Sequence, residues 1–295
     1  MKGKQYMMFI IIVVAVNLFV NLYIFFRTRA IFPEGNAAWW GAAVLFWLIA
    51  FSYVIGRMIE RSGAMALAEP FIKAGSWWLG AMVYLTLIFL LIEIFRGVNS
   101  LFGATDFFRF SWSEGKGKLV VMMVYGLTAI ILIGGYLSAK FPAVREMNLQ
   151  ISKEIQGDRL KVVLVSDIHL GMMISNGKLD RMVNLINEQN ADLVLMAGDV
   201  FDEDLGPVIK QNMGDLIKKL KATEGVFAIL GNHEFYGNAD IAEKYLKDHN
   251  TTVLRDSVVT LPNGISIVGR EDLTAENMFG KKRKSINELL VGIDT

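Results

Sequence analysis

Four runs of apolar residues fill the first half of the chain, and each is long enough to cross a lipid bilayer. They occupy residues 7–26, 37–55, 77–95 and 119–137. Runs of about 20 residues, rising 1.5 Å per residue, match a hydrocarbon core of ~30 Å. Lipid offers no partner to a bare peptide group, so each run is predicted to be a helix. Tryptophan pairs at 39–40 and 77–78 mark run ends, where amphipathic rings meet the headgroup layer. Lys2 and Lys4 give the first run the flank of a signal peptide. Its length, its lack of a small-residue cleavage site and the three later runs favour a span instead.

Polar residues within the spans are few. Asn17 and Asn21 lie four apart on one helix face, which predicts an interhelical hydrogen bond. Glu93 has Arg96 three residues on and reads as a paired interfacial carboxylate. No proline breaks a span and no carboxylate sits at mid-span, so a transport or lipid-handling protein is the weaker reading. Four spans put the N-terminus and the second half on one side. Basic residues number seven on that side and six on the other, so they do not orient the protein.

After Phe141 the chain changes character. Of 59 charged residues, 18 precede that point and 41 follow it, and all six tryptophans lie in the first 112 residues. The boundaries are a four-span region over 1–140, a linker with a first strand over 141–158, and an α/β domain over 159–295. A net charge of +1 argues against a nucleic-acid partner, which would need a clustered basic excess. The absence of cysteine excludes disulfides and thiolate metal sites.

Alternation predicts the first strand at 147–155. Buried strands follow in "KVVLV", "ADLVLMA" and "GVFAIL". Helical spacing predicts helices over 177–189, 210–221 and 239–249, and short strands over 252–255, 258–261 and 265–268. Asn263–Gly264 is a hairpin signal between the last two. The order predicts parallel strands, outer helices and an antiparallel edge.

The three buried strands end alike. The first leads into Asp167-Ile168-His169, where strand alternation would put both side chains on one side. The second leads into Gly198-Asp199, with Asp202 three further, and the third into Gly231-Asn232-His233-Glu234. In an open α/β sheet the carboxyl ends of strands carry the ligand site. Each piece alone also reads as turn or cap chemistry. Together they suit two divalent metals: Asp199 as the bridge, Asp167 and His169 on the first, Asn232 on the second. His233 is left to protonate the leaving oxygen.

"SDIHLG", "GDVFD" and "GNHE" resemble the first three signature blocks of the calcineurin-like metallophosphoesterase superfamily, from about Leu149 onward. The apolar first half is similar to that of membrane-attached bacterial members. The resemblance implies paired β-sheets flanked by helices, and hydrolysis of phosphate mono- or diesters or pyrophosphates. It implies Asp167, His169, Asp199 and Asn232 as metal ligands, His233 as the catalytic histidine, and two ions of Mn, Fe or Zn. A multi-pass protein of a bacterial plasma membrane is expected, with the bilayer and a phosphate ester, lipid-linked esters included, as partners. A non-catalytic, phosphoesterase-like binding module is the alternative.

The family pattern continues with a lone histidine and a Gly-His-x-His block, and neither occurs here before "INELLVGIDT". The expectation is an incomplete form lacking at least two ligands, with weak metal binding. His249 reads as a helix-end residue rather than a ligand. "KKRK" at 281–284 reads as a solvated loop or an anion-binding patch. Arg270, in "GRED", is a candidate contact to substrate phosphate.

Overall fold

The computed structural model describes residues 2–31, 37–103, 105–151 and 159–293. The chain divides into two units, Met1–Val144 and Arg145–Thr295.

In the first unit each apolar run is a helix: α1 (Lys2–Thr28), α2 (Ala37–Arg61), α3 (Met65–Phe102) and α4 (Gly115–Lys140). All four are long and apolar enough to cross a membrane. The third exceeds its predicted run, with 38 residues and Pro70 in its second turn. Ile24, Leu85, Phe89, Val121 and Val124 form the buried centre, drawn from α1, α3 and α4. The asparagines link helices as expected. Trp78 Nε1 of α3 donates to Asn21 Oδ1 at 2.8 Å, and Asn21 Nδ2 donates to Asn17 Oδ1 at 3.1 Å.

Glycines bring α2 and α3 together. A Cβ on Gly75 would lie 2.2 Å from the Tyr53 backbone nitrogen, and one on Gly56 would lie 2.8 Å from that of Ile72. Lipid tails are as apolar as leucine, so close backbone approach of this kind, with its dispersion contacts, is what holds membrane helices together.

The second unit is built on a parallel sheet of β1 (Val162–Val165), β2 (Leu193–Ala197), β3 (Gly225–Ile229) and β4 (Thr252–Val253), in the order β1-β2-β3-β4. The crossovers are α5 (Asn176–Glu188), then α6 (Gly206–Lys210) with α7 (Gly214–Ile217), then α8 (Asn232–Gly237) with α9 (Ala239–Asp248). Right-handed crossovers in an order that never reverses put every helix on one face. Strand alternation sorts the core accordingly. Met196 and Ala228 point into the helix-side cluster with Leu179, Val208 and Leu246. Leu193 and Phe227 point the other way, against Leu261, Val259, Ile265 and Ile267.

Those last residues belong to a hairpin of β5 (Ser257–Thr260) and β6 (Ser266–Gly269). It forms a separate two-stranded sheet, not an edge of the parallel one as the strand order had suggested. The cause is local. Asp256 has a φ of 43°, which turns the chain off the line of β4, so that the hairpin's side chains cover the face that lacks helices. The result is the layered arrangement the family resemblance implied. Two short helices follow, α10 (Leu273–Phe279) and α11 (Ile286–Leu289).

Two further sequence expectations fail. The helix over 210–221 is broken, because Asn212 takes a φ of 51° and ends α6, and only Gly214–Ile217 resumes as α-helix. The strand over 147–155 does not form among its described residues, 147–151, where Met147 and Leu149 are exposed, and 152–155 lie outside the described residues.

The α2–α3 contact gives a direct test. Gly75→Ala should lower the thermal stability of the detergent-solubilised chain, at about 1–3 kcal/mol for overpacking. Melting followed by circular dichroism measures this, and Gly126→Ala, where a Cβ meets nothing within 4 Å, is the control.

Candidate metal centre

Three loops, each leaving the carboxyl end of a parallel strand, build the site. β1 ends at Val165, and the backbone then turns left-handed at Asp167 (φ 55°) and again at His169 (φ 51°). The two side chains face each other, with His169 Nε2 3.9 Å from Asp167 Oδ1. Paired left-handed residues achieve this rather than the strand alternation the sequence suggested. Asp199, after β2, also has a positive φ, 50°. A left-handed backbone disfavours side chains, and such strain persists only where neighbours hold it.

The neighbours are hydrogen bonds between loops. His169 N donates to Asp199 O at 2.9 Å, Leu170 N to Val200 O at 2.8 Å, and Asp202 N to Leu170 O at 2.9 Å. The third loop joins through His233 N, which donates to Asp199 Oδ1 at 2.9 Å. Gly231 permits this closeness, since a Cβ there would lie 2.2 Å from Asp199 Oδ1.

Donor atoms of His169, Asp199 and His233 therefore gather within 4.8 Å of one another. Nitrogen and oxygen ligands at 2.0–2.2 Å from an ion stand at most about 4.4 Å apart across it. Small side-chain shifts close the remaining gap, so the set fits a divalent ion. The two imidazoles meet edge to face at 4.5 Å between centroids. His233 Nδ1 is buried without a hydrogen bond, 3.3 Å from Asp202 Oδ1 and out of line for one. Asn232 is the first residue of α8, half-buried between Gly231 and His233.

Known proteins resemble this chain in sequence. Residues 160–289 match the family described as Calcineurin-like phosphoesterase. The second unit carries a calcineurin-like phosphoesterase domain. An uncharacterized metallophosphoesterase of Helicobacter pylori is 28% identical over 199 residues, which cover 68% of this chain and 51% of that protein. One of Aquifex aeolicus is 25% identical over 167 residues, covering 56% of this chain and 63% of the relative. A transmembrane protein with metallophosphoesterase domain of Danio rerio is 31% identical over 117 residues, covering 39% and 26%. The chain thus spans about half the length of the first of these. No solved structure matches it.

Within the phosphoesterase domain, a residue without a sequence-assigned role ties the site loops together. Glu234 is fully buried. Its Oε2 accepts from Asp199 N at 3.1 Å and Gly231 N at 2.8 Å, and its Oε1 accepts from Phe201 N at 2.8 Å. Burial pushes the Glu234 carboxyl above its ordinary value, against the pull of these N–H groups, and the nearby Asp199 adds to the rise. The sequence did hold a signal. Glu234 is three residues after the N-cap Gly231, the capping-box position.

Other singled-out residues make contacts within the domain. His249 Nδ1 lies 2.6 Å from Tyr245 O, and its ring packs where a Cβ of Gly214 would be. Arg270 Nε donates to Lys284 O at 2.7 Å. In the basic run, Lys281 Nζ donates to buried Glu271 at 2.7 Å and Arg283 to Glu271 O at 3.1 Å. Arg255 completes that cluster on Asp240, Glu243 and Glu271.

Glu234→Gln keeps the shape but turns an amide NH₂ toward backbone donors. It should cost about 1–3 kcal/mol and speed amide hydrogen exchange at Asp199 and Phe201, read by exchange mass spectrometry. Unchanged protection at both would contradict the bracing role.

Proposed function

We propose that this chain belongs to a membrane-tethered, metal-dependent phosphoesterase that hydrolyses a phosphate mono- or diester with a water activated by two divalent ions. One observation carries the reading: His169 and Asp199, two of the proposed ligands, and His233, the proposed acid, are far apart in sequence yet bring their donor atoms within 4.8 Å at the sheet's rim. The relatives' names support the reaction class, and the four apolar helices support the tether. Bacterial relatives favour a bacterial plasma membrane.

The nitrogen and oxygen donors suit Mn, Fe or Zn. Ions held there supply Lewis-acid activation of water and of the ester's phosphoryl oxygens. The chain's own residues do the rest. Asp167, His169, Asp199 and Asn232 would hold the ions, with the Asp199 carboxylate shared between them. Asp199 is oriented by its bond from His233 N. His233, with Asp202 beside its Nδ1, protonates the leaving oxygen. The tether brings lipid-linked esters of the bilayer within reach, and these are the favoured substrates.

The test uses the whole protein in detergent. It should hydrolyse nitrophenyl phosphate mono- or diesters in a Mn²⁺-stimulated reaction. Asp199→Asn keeps an oxygen for the His233 N–H and removes the charge. It should lower kcat/KM by more than the roughly 10- to 100-fold typical of residues that only support a metal ligand. Full activity in Asp199→Asn, or none in wild type with Mn²⁺, Fe²⁺ or Zn²⁺, would sink the assignment.

A further inference from the structure

An uneven ion cluster lies at the end of the spans where α1 and α3 finish and α4 begins. Arg27 and Arg96 both reach the same oxygen of Glu93, at 2.9 and 3.1 Å. Trp112 Nε1 donates to that oxygen as well, at 2.8 Å. Two guanidinium charges thus share one carboxylate, and among the described residues the cluster keeps one positive charge in excess. The sequence around it has the same sign, with six basic and four acidic residues over 27–36 and 93–118. The Arg27 and Arg96 side chains are 26% and 22% exposed, so an anion can reach them in partly desolvated surroundings.

An apolar cavity of about 230 Å³ adjoins this cluster, lined by Ile88 and Ile92 of α3, Phe108 and Phe110 of the α3–α4 connection, and Met123 and Leu127 of α4. Apolar cavities of about 150 Å³ stay dry and accept benzene, so there is room here for hydrocarbon. Ile88, Ile92 and Arg96 follow at intervals of four, which puts the cavity wall and the cation on one helix face. Phe110 joins the two parts. Arg96 lies over its ring at 4.5 Å and donates to its carbonyl at 2.7 Å. Met123 and Leu127 are exposed, so the cavity opens where acyl chains run.

Hydrocarbon space ending at an uncompensated cation complements an amphiphile with an acyl tail and an anionic head. We propose that this cleft between α3 and α4 binds an anionic glycerophospholipid of the surrounding bilayer, tail against Ile88, Ile92 and Met123, phosphate at Arg96 and Arg27. The inference is independent of the phosphoesterase reading.

The whole protein, purified from nanodiscs holding equal phosphatidylglycerol and phosphatidylcholine, is examined by native mass spectrometry. Wild type should retain phosphatidylglycerol about fivefold over phosphatidylcholine, the preference expected of one basic side chain at an anionic group. Arg96→Gln should bring the ratio near one, and Arg96→Lys should restore part of it. Met123→Trp fills the cavity, leaves the ion cluster intact, and should reduce the lipid retained. Equal retention of the two lipids by wild type overturns the proposal, as an anion-blind annular layer would behave. So does a wild-type ratio in Arg96→Gln. If Arg96→Gln does not fold, unchanged phosphatidylglycerol retention in Met123→Trp overturns it.

Discussion

The carboxylate of Glu234 is sealed from water, and both its oxygens accept N–H groups from the loops after β2 and β3. Left without those bonds, three backbone donors would be buried unsatisfied, each at a cost of about 1–3 kcal/mol. The brace also opposes strain. Asp167, His169 and Asp199 all have positive φ, which costs of order 1 kcal/mol apiece for side-chain-bearing residues. Two of the donors held by Glu234 are Asp199 N and Gly231 N, which lie on either side of the contact between Asp199 Oδ1 and His233 N. The donor cluster is therefore set by a residue that contributes no atom to it.

The membrane unit follows a different physical logic. With little hydrophobic drive between helices in lipid, contact rests on small residues and shared polar groups. Gly56 and Gly75 supply the first between α2 and α3. Asn21 with Trp78, and Thr28 with Tyr125 at 2.7 Å, supply the second between α1 and its neighbours. Glu93, expected to pair with Arg96 alone, also receives Arg27 and Trp112, so one carboxylate joins α1, α3 and the entry to α4.

How much of this was legible depends on how local the cause is. The spans were legible because lipid forces apolar runs into helices, but the length of α3 was not, since Met65–Ser76 mixes Glu69 and Lys73 with apolar residues. The three rim-forming strand ends were legible from β-branched runs closing on Asp, Gly-Asp and Gly-Asn-His. The break at Asn212 was missed because the apolar spacing continues through it. The hairpin's place was missed because it depends on the uncovered face of another sheet. "KKRK" read as a solvated loop or an anion-binding patch, because one of its partners, Glu271, lies ten residues upstream of Lys281 and is hidden by folding. Glu234 was overlooked for the same reason, since its partners Asp199 and Phe201 sit 35 and 33 residues back.

The sequential strand order also bears on biosynthesis. The loops that gather His169, Asp199 and His233 are drawn from residues between Val165 and Gly237, and the four described parallel strands end at Val253. A ribosome delivers that stretch before the hairpin exists. Most of the helix-side core can close first, with the rim loops already zipped together, and Ala275 of α10 joins it after the hairpin. Leu193 and Phe227 then face water until Leu261 and its neighbours arrive. That interval leaves an apolar sheet face open to other nascent chains. The hairpin closes that face, and a delay in its arrival favours aggregation.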